Sequence, residues 1–331
     1  MPKCSQPKCR IAETGVCLEG HKQDCPHRLP DEPIIDADPW ANKDDLPPQN
    51  SHRFHTGEKL TVPEASRILN DRPARVVLCA GAQWSGKTTL LARLGEMFRD
   101  GSFGKFRFAG SSTLCAFERA TWRATITSGA VRPDTPRTER RENDTFLHLR
   151  VHQKDEPGCE IDILISDLAG ETFSTAVASL EFCAEQRALA RADHLVVFLD
   201  CFCLVNAAKR HSECDNARTF LQRVIAVRHE PTALHVHIVF SRWDYVGRHE
   251  HRPTHEKFCE NLKADLTRRF GSSFASLGFR HIAARPDGAA PTNGEIQLLF
   301  ARWLEAPLYT PASAIVRNRN AARDFSTFGL P

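Results

Sequence analysis

The stretch GAQWSGKT (residues 81–88) has the spacing G-x-x-x-x-G-K-T, with an apolar run before it and amphipathic spacing after it. Glycines at the first and sixth positions let the backbone curl until successive N–H groups point inward as an anion nest. A helix starting there adds partial positive charge. Lys87 is placed to reach phosphate oxygens and the Thr88 hydroxyl to ligate Mg²⁺. Gly81, Ser85, Gly86, Lys87, Thr88 and Thr89 are therefore the expected phosphate-contacting residues, with Trp84 read as a shield over the loop.

Such a loop needs a second Mg²⁺ anchor, an acid at the end of a neighbouring strand. The run EIDILISDLAGE supplies Asp167 after Ile161, Ile163, Leu164 and Ile165, and Asp162 within it is expected to face outward. DLAG (167–170) resembles the D-x-x-G motif of Ras-like GTPases, which implies that Asp167 acts on Mg²⁺ through water and that the Gly170 amide senses the γ-phosphate. Glu171 stands where those enzymes usually carry Gln. A carboxylate there accepts a proton from water but also repels the phosphate, so slow intrinsic turnover is expected. The loop GAVRPDTPRTERREND offers Thr135, Thr138 and Thr145 as the threonine closing over Mg²⁺. Thr138 ranks first, for its mid-loop position, and Thr145 has the more Ras-like spacing to Asp167. Arg137, Arg140 and Arg141 read as solvated charge or as arginines reaching the phosphates in cis.

A phosphate loop does not choose a base. VHIVFSRWDYV ends a buried strand and places Asp244 where Ras-like GTPases have the acid of [NT]-K-x-D. A carboxylate there accepts from guanine N1–H and its 2-amino group, and is left unpaired by adenine. Ser241 and Arg242 replace the usual Asn/Thr and Lys. Ser241 is expected to tie this loop to the phosphate loop, and Arg242 to lay its stem and planar head along the base. HIAARP matches the S-A-K motif through Ala283, Ala284 and Arg285, which implies that the Ala284 amide reads guanine O6.

Residues from about 60 to 305 resemble a P-loop GTPase. AGSSTLCAFERATWRA, the hairpin TFLHLRV with DILISDLAGE, the SRWD variant and a preceding cysteine cluster are together similar to the TRAFAC-like double-GTPase family of bacteria, second domain type. That resemblance implies GTP/GDP binding, slow GTP hydrolysis, and a regulatory switch acting on protein partners within a bacterial conflict or defence system. Two other readings stay open. One is an ATPase or nucleotide kinase using the same loop. The other is a nucleotide-bound scaffold with scarcely any turnover, to which Glu171 points.

Cys4, Cys9, Cys17 and Cys25 are spaced C-x4-C-x7-C-x7-C, with His21 and His27 interspersed. A segment this small cannot bury a core, so a structural Zn²⁺ held by the four thiolates is expected, with His21 or His27 able to replace one. Unligated cysteines in an extended arm are the alternative. Lys3, Lys8, Arg10, Lys22 and Arg28 leave nucleic acid open as a ligand of that segment. The remaining eight cysteines, among the twelve of the chain, read as inert thiols of a reducing cytoplasm.

The elements that must position these residues follow from periodicity. Apolar runs (ARVVLCAG, DHLVVFLD, ALHVHIVF) alternate with helical spacing (GKTTLLARLGEMF, ECDNARTFLQRVIAVRH, EKFCENLKADLTRRF). The class is α/β: a mostly parallel sheet flanked by helices, with ligands at the carboxyl ends of the strands. TVPEASRILND reads as a helix with a capping box from Thr61 to Glu64, and FSTAVASLEFCAEQRALARA as one continuous helix. The expected organisation is a cysteine-rich segment (1–30), a linker (31–58), the GTPase domain (59–306) and an Arg-rich tail (307–331). With 331 residues, 41% apolar, and a net charge of +3, the chain suits one compact core with polar ends, and nucleic acid is not indicated as a default partner. No run reaches the roughly 18 apolar residues of a membrane span, and MPKCSQPKCR lacks the apolar stretch of a secretory signal.

Overall fold

The computed structural model describes residues 56–125, 128–129, 145–286 and 290–305 apart from Ser102, together with isolated positions among the first 27. Contacts divide the chain into two units, Met1–Phe54 and His55–Pro331. In the first, the amide and hydroxyl of Ser5 both donate to the His27 carbonyl, at 2.9 and 3.2 Å.

The second unit is an eight-stranded mixed sheet covered by helices on both faces. Its strands are β1 (Leu60–Thr61), β2 (Ala74–Gly81), β3 (Phe106–Gly110), β4 (Thr145–Gln153), β5 (Glu156–Asp167), β6 (His194–Asp200), β7 (His235–Ser241) and β8 (Ser276–Ile282). The order is β1-β4-β5-β2-β6-β7-β8, with β3 also pairing on β4. From β5 to β8 every pairing is parallel; β4 is antiparallel to β1, β3 and β5. The hairpin expected from TFLHLRV and DILISDLAGE is the β4–β5 pair.

Side-chain alternation splits the core into two layers. Val76, Leu78, Ala80, Leu195, Val197 and Leu199 face one way. They meet α1 (Val62–Asp71), α4 (Gly170–Ala178), α5 (Leu180–Ala184), α6 (Arg187–Arg191), α7 (Cys201–Leu204), α8 (Arg210–Val227), α9 (Asp244–Gly247) and α10 (Arg252–Phe270). Val77, Cys79, Val196 and Phe198 face the other way, onto α2 (Lys87–Arg99), α3 (Leu114–Thr121) and α11 (Asn293–Trp303). Both faces of the parallel block are buried, which is why its strands read as unbroken apolar runs.

Local signals hold where they are strong. The Thr61 amide donates to Glu64 Oε2 at 2.8 Å and Pro63 sits in the first turn of α1, as the capping box predicts. The continuous helix expected over 173–192 is instead three short ones. Ser179 is extended and caps α5 by accepting from the Phe182 amide at 3.1 Å, and Gln186 precedes α6. Serine bonding its own backbone neighbours competes with helix propagation.

Asp162 does not face solvent. It is 1% exposed and accepts from His148 Nε2 at 2.9 Å and from Arg150 Nε at 2.6 Å. His148 Nδ1 accepts from the Ser112 amide, so its proton sits on Nε2. Burial alone would raise the Asp162 carboxyl, but the His148 and Arg150 hydrogen bonds outweigh it and hold the group below its usual range. Of the eight scattered cysteines, Cys79, Cys183, Cys201, Cys214 and Cys259 are buried, whereas Cys203 is half-buried and Cys115 and Cys159 are exposed. Burial raises the thiols of Cys214 and Cys259, to about 11 and about 12, which keeps them protonated and unreactive. No helix among the described residues is long and apolar enough to cross a membrane.

Candidate functional site

Strand register gathers the motifs at one edge of the sheet. Cys79 pairs with Asp167, Gly81 with Phe198, Asp200 with Ser241, and Ser241 with Ile282. The carboxyl ends of β2, β5, β6, β7 and β8 therefore converge, as ligand sites in such sheets require.

The loop leaving β2 turns into α2 at Gly86, whose φ of 88° is left-handed and suits glycine. Trp84 also has positive φ, at 66°, and is 66% exposed. Lys87 is buried and its Nζ donates to the Gly81 and Ala82 carbonyls, both at 3.0 Å, folding the side chain back over the loop. Thr88 donates from its hydroxyl to Asp167 Oδ2 at 3.1 Å, and Thr89 follows in the first turn of α2. Asp167 Oδ1 is buried without a hydrogen-bond partner among the described residues, and so is Ser85 Oγ. A carboxylate oxygen left this way beside a threonine hydroxyl fits a hard divalent cation, and the orphaned serine hydroxyl fits a phosphate oxygen.

Gly170 opens α4, and a Cβ built on it would lie 2.4 Å from the Gln83 amide nitrogen, so the D-x-x-G segment touches the phosphate loop directly. Glu171 follows in the first turn of α4. Thr145 begins β4 in register with Thr61, whereas Thr135 and Thr138 lie outside the described residues.

On the base side, Asp244 opens α9 and pairs with Arg248 one turn on, through Arg248 Nη2 and Asp244 Oδ2. Ser241 lies beside Gly86, yet its hydroxyl donates to the Leu199 carbonyl at 3.2 Å. The expected hydrogen bond to the phosphate loop thus goes to the neighbouring strand, because Ser is shorter than Asn. Arg242 has φ 52° and forms a bidentate pair with Asp200. The Trp243 amide donates to the Ile282 carbonyl at 3.2 Å, and its indole stacks on His281 with centroids 3.9 Å apart. Ala283 and Ala284 are buried beyond β8; Ala283 is fixed by Thr292 Oγ1 at 2.9 Å, and Arg285 Nη1 donates to the Arg123 carbonyl at 3.4 Å.

Residues 75–304 match the family Double-GTPase 2. The chain belongs to that family. As a Double-GTPase 2 protein it is a P-loop GTPase. None of the curated proteins matches it. Among solved structures it is similar to the S. cerevisiae Ski7 GTPase-like domain bound to GTP, at 16% identity and a TM-score of 0.41, covering 73% of this chain and 52% of that one. This chain thus spans about half the length of that relative. It is also similar to the signal recognition particle receptor SRb-GTP/SRX complex from Chaetomium thermophilum, at 14% identity and a TM-score of 0.39, covering 69% and 97%.

Electrostatics at the centre of this Double-GTPase 2 site are set by burial. Burial raises the Asp167 carboxyl and lowers the Lys87 ammonium, and the attraction between the two opposes both shifts. Each is ready to gain from an incoming charge of opposite sign. Sequence reasoning missed two acids behind them. Asp200 ends β6, and its amide donates to Glu213 Oε1 at 2.8 Å. Burial raises Glu213 to about 7, opposed by Lys87. The signal for Asp200 was present, as an acid closing the apolar run HLVVFL. Glu213 had none, since its burial depends on how α8 packs.

Proposed function

We propose that this GTPase is a regulatory switch whose nucleotide is held by the residues gathered at the carboxyl edge. Gly81, Ser85, Gly86, Lys87, Thr88 and Thr89 hold the phosphates. Thr88 and Asp167 hold Mg²⁺, which supplies neutralising charge at the phosphate oxygens. Thr138 completes that shell from the segment between α3 and β4. Asp244 reads guanine, with Arg242, Ser241, Ala284 and Arg285 around the base. The observation that carries the reading is the 3.1 Å bond from Thr88 to Asp167, beside a buried carboxylate oxygen with no other partner.

Gly170 and Glu171 couple phosphate state to α4. Gly170 rests on Gln83, so movement of the phosphate loop is transmitted to the start of α4 without an intervening side chain. Segments following Asp167 and preceding β4 are the surfaces a protein partner reads. The resemblance to double-GTPases of bacterial conflict systems supports placing the switch in such a system. Zn²⁺ held by Cys4, Cys9, Cys17 and Cys25 orders the first unit. The Ser5–His27 hydrogen bonds support this by bringing the neighbours of Cys4 and Cys25 together. Cys17 is buried and Cys9 half-buried, whereas Cys4 and Cys25 lie outside the described residues.

The test is calorimetric titration with GTP, GDP and ATP in Mg²⁺. Wild-type protein binds the guanine nucleotides at least tenfold tighter than ATP, and Lys87→Ala loses binding. Equal affinity for ATP overturns the guanine assignment; unchanged binding by Lys87→Ala overturns the site.

A further inference from the structure

Arg242 is fixed from three directions. Its Nε donates to Asp200 Oδ1 at 2.7 Å and its Nη2 to Asp200 Oδ2, a bidentate pair across strands that are parallel neighbours. The guanidinium carbon lies 5.1 Å from the Phe202 ring centroid and 5.7 Å from that of Tyr245, and the two rings meet edge to face at 5.3 Å. Its backbone is left-handed at φ 52°, which costs a side-chain-bearing residue energy and persists only where its surroundings impose it. A free arginine at a strand end samples many rotamers; this one has been given a single orientation.

Asp200 is itself held. Its side chain is 5% exposed. It caps α7 by accepting from the Phe202 amide at 3.0 Å, it receives the Cys203 thiol at 3.5 Å, and its amide is anchored on Glu213. The carboxylate that grips Arg242 is thus locked to β6, α7 and α8 together. A bidentate fork in a partly dry setting fixes the plane of the guanidinium as well as its position.

We propose that Asp200 is a positioning residue for nucleotide binding. It orients Arg242, caged by Phe202 and Tyr245, as a rigid planar platform for the purine, replacing the flexible Lys of other GTPases. The platform rests on the guanine-nucleotide reading above, and its gain comes from pre-organisation: the rotamer freedom of Arg242 is lost on folding rather than on binding.

Steady-state GTP hydrolysis by the full chain tests this. Asp200→Asn keeps an acceptor for the α7 cap and removes the charge. It raises KM for GTP about tenfold and leaves kcat within twofold. Arg242→Ala raises KM by a similar factor, and the double variant is no worse than Arg242→Ala alone, because Asp200 acts through Arg242. An unchanged KM in Asp200→Asn overturns the proposal. So do losses that multiply in the double variant, and so does a kcat that falls in step, which would mark Asp200 as a support of the fold. If wild-type protein has no preference for GTP over ATP, the guanine reading fails first and this proposal with it. That outcome is read from the wild type alone and is distinct from failure of the variants.

Discussion

Gly170 lies so close to Gln83 that a methyl group on it would stand 2.4 Å from the Gln83 amide nitrogen and 2.5 Å from its Cα. The contact is backbone on backbone, so no rotamer change relieves it. Gly170→Ala is expected to lower stability by about 1–3 kcal/mol, the usual range for overpacking, and to slow GTP hydrolysis at least tenfold. Urea denaturation followed by single-turnover assay checks both, and a variant with wild-type values would show that the two loops do not touch.

Asp167 has one oxygen bonded to Thr88 and one with no partner among the described residues. Asp167→Asn keeps a hydrogen bond to Thr88 and removes the charge. The expected result is GDP release that no longer responds to chelation of Mg²⁺, measured with a fluorescent GDP analogue.

Arg248 donates from Nη2 to Asp244 Oδ2 and from Nε to the Asp244 carbonyl, so a cationic donor stands on a carboxylate oxygen that guanine would use on the proposed reading. A guanine base read by Asp244, as proposed, has to displace it. Arg248→Ala should therefore tighten GDP binding several-fold, while Asp244→Asn weakens it at least a hundredfold. Calorimetry on the two variants decides this, and a loss of affinity in Arg248→Ala would mean that Arg248 supports the bound base.

Glu213 titrates near 7 in the folded protein, above its ordinary 4.5, because it is buried. Between those values the folded state holds more protons than the unfolded one, so this group's contribution to stability falls as pH rises from about 4.5 to 7 and is flat beyond. His194 and His281, lowered by burial to about 3 and about 4, act oppositely below 6.5. Comparing Glu213→Gln with wild type isolates the glutamate. The stability difference should shift in the variant's favour by about 1 kcal/mol per pH unit across that window. A difference that stays constant with pH would place Glu213 in a solvated setting.

Zinc in the first unit is expected at one equivalent per chain. Cys4→Ser or Cys25→Ser should abolish it, as measured by atomic emission on protein purified without added metal. Retention of metal in both variants would send the ligand search elsewhere.

Much of the phosphate side was legible in the residues. The left-handed turn at Gly86 and the helix start at Lys87 follow from backbone curl and helix polarity, which are local, and the meeting of Thr88 with Asp167 from the place of that acid at the end of an apolar strand. The base side was only half legible. Asp244 and Ala284 could be placed by order along the chain. The partner of Arg242 could not, because Asp200 lies 42 positions away and meets it only through strand pairing. Asp162 misled for a related reason: alternation says an acid points outward, and only the arrival of His148 and Arg150 from β4 makes an inward carboxylate tolerable. The break at Ser179 was hidden by helical spacing that continues on either side of it.

The Trp243 amide and Ile282 carbonyl weld the loops after β7 and β8 into one jaw. An alteration that displaces the tip carrying Ala284 drags the acid at 244 with it, and the reverse holds equally. On the proposed reading, purine choice is a property inherited jointly by two stretches of chain some forty residues apart. Engineers wishing to retune it must rebuild them as a pair.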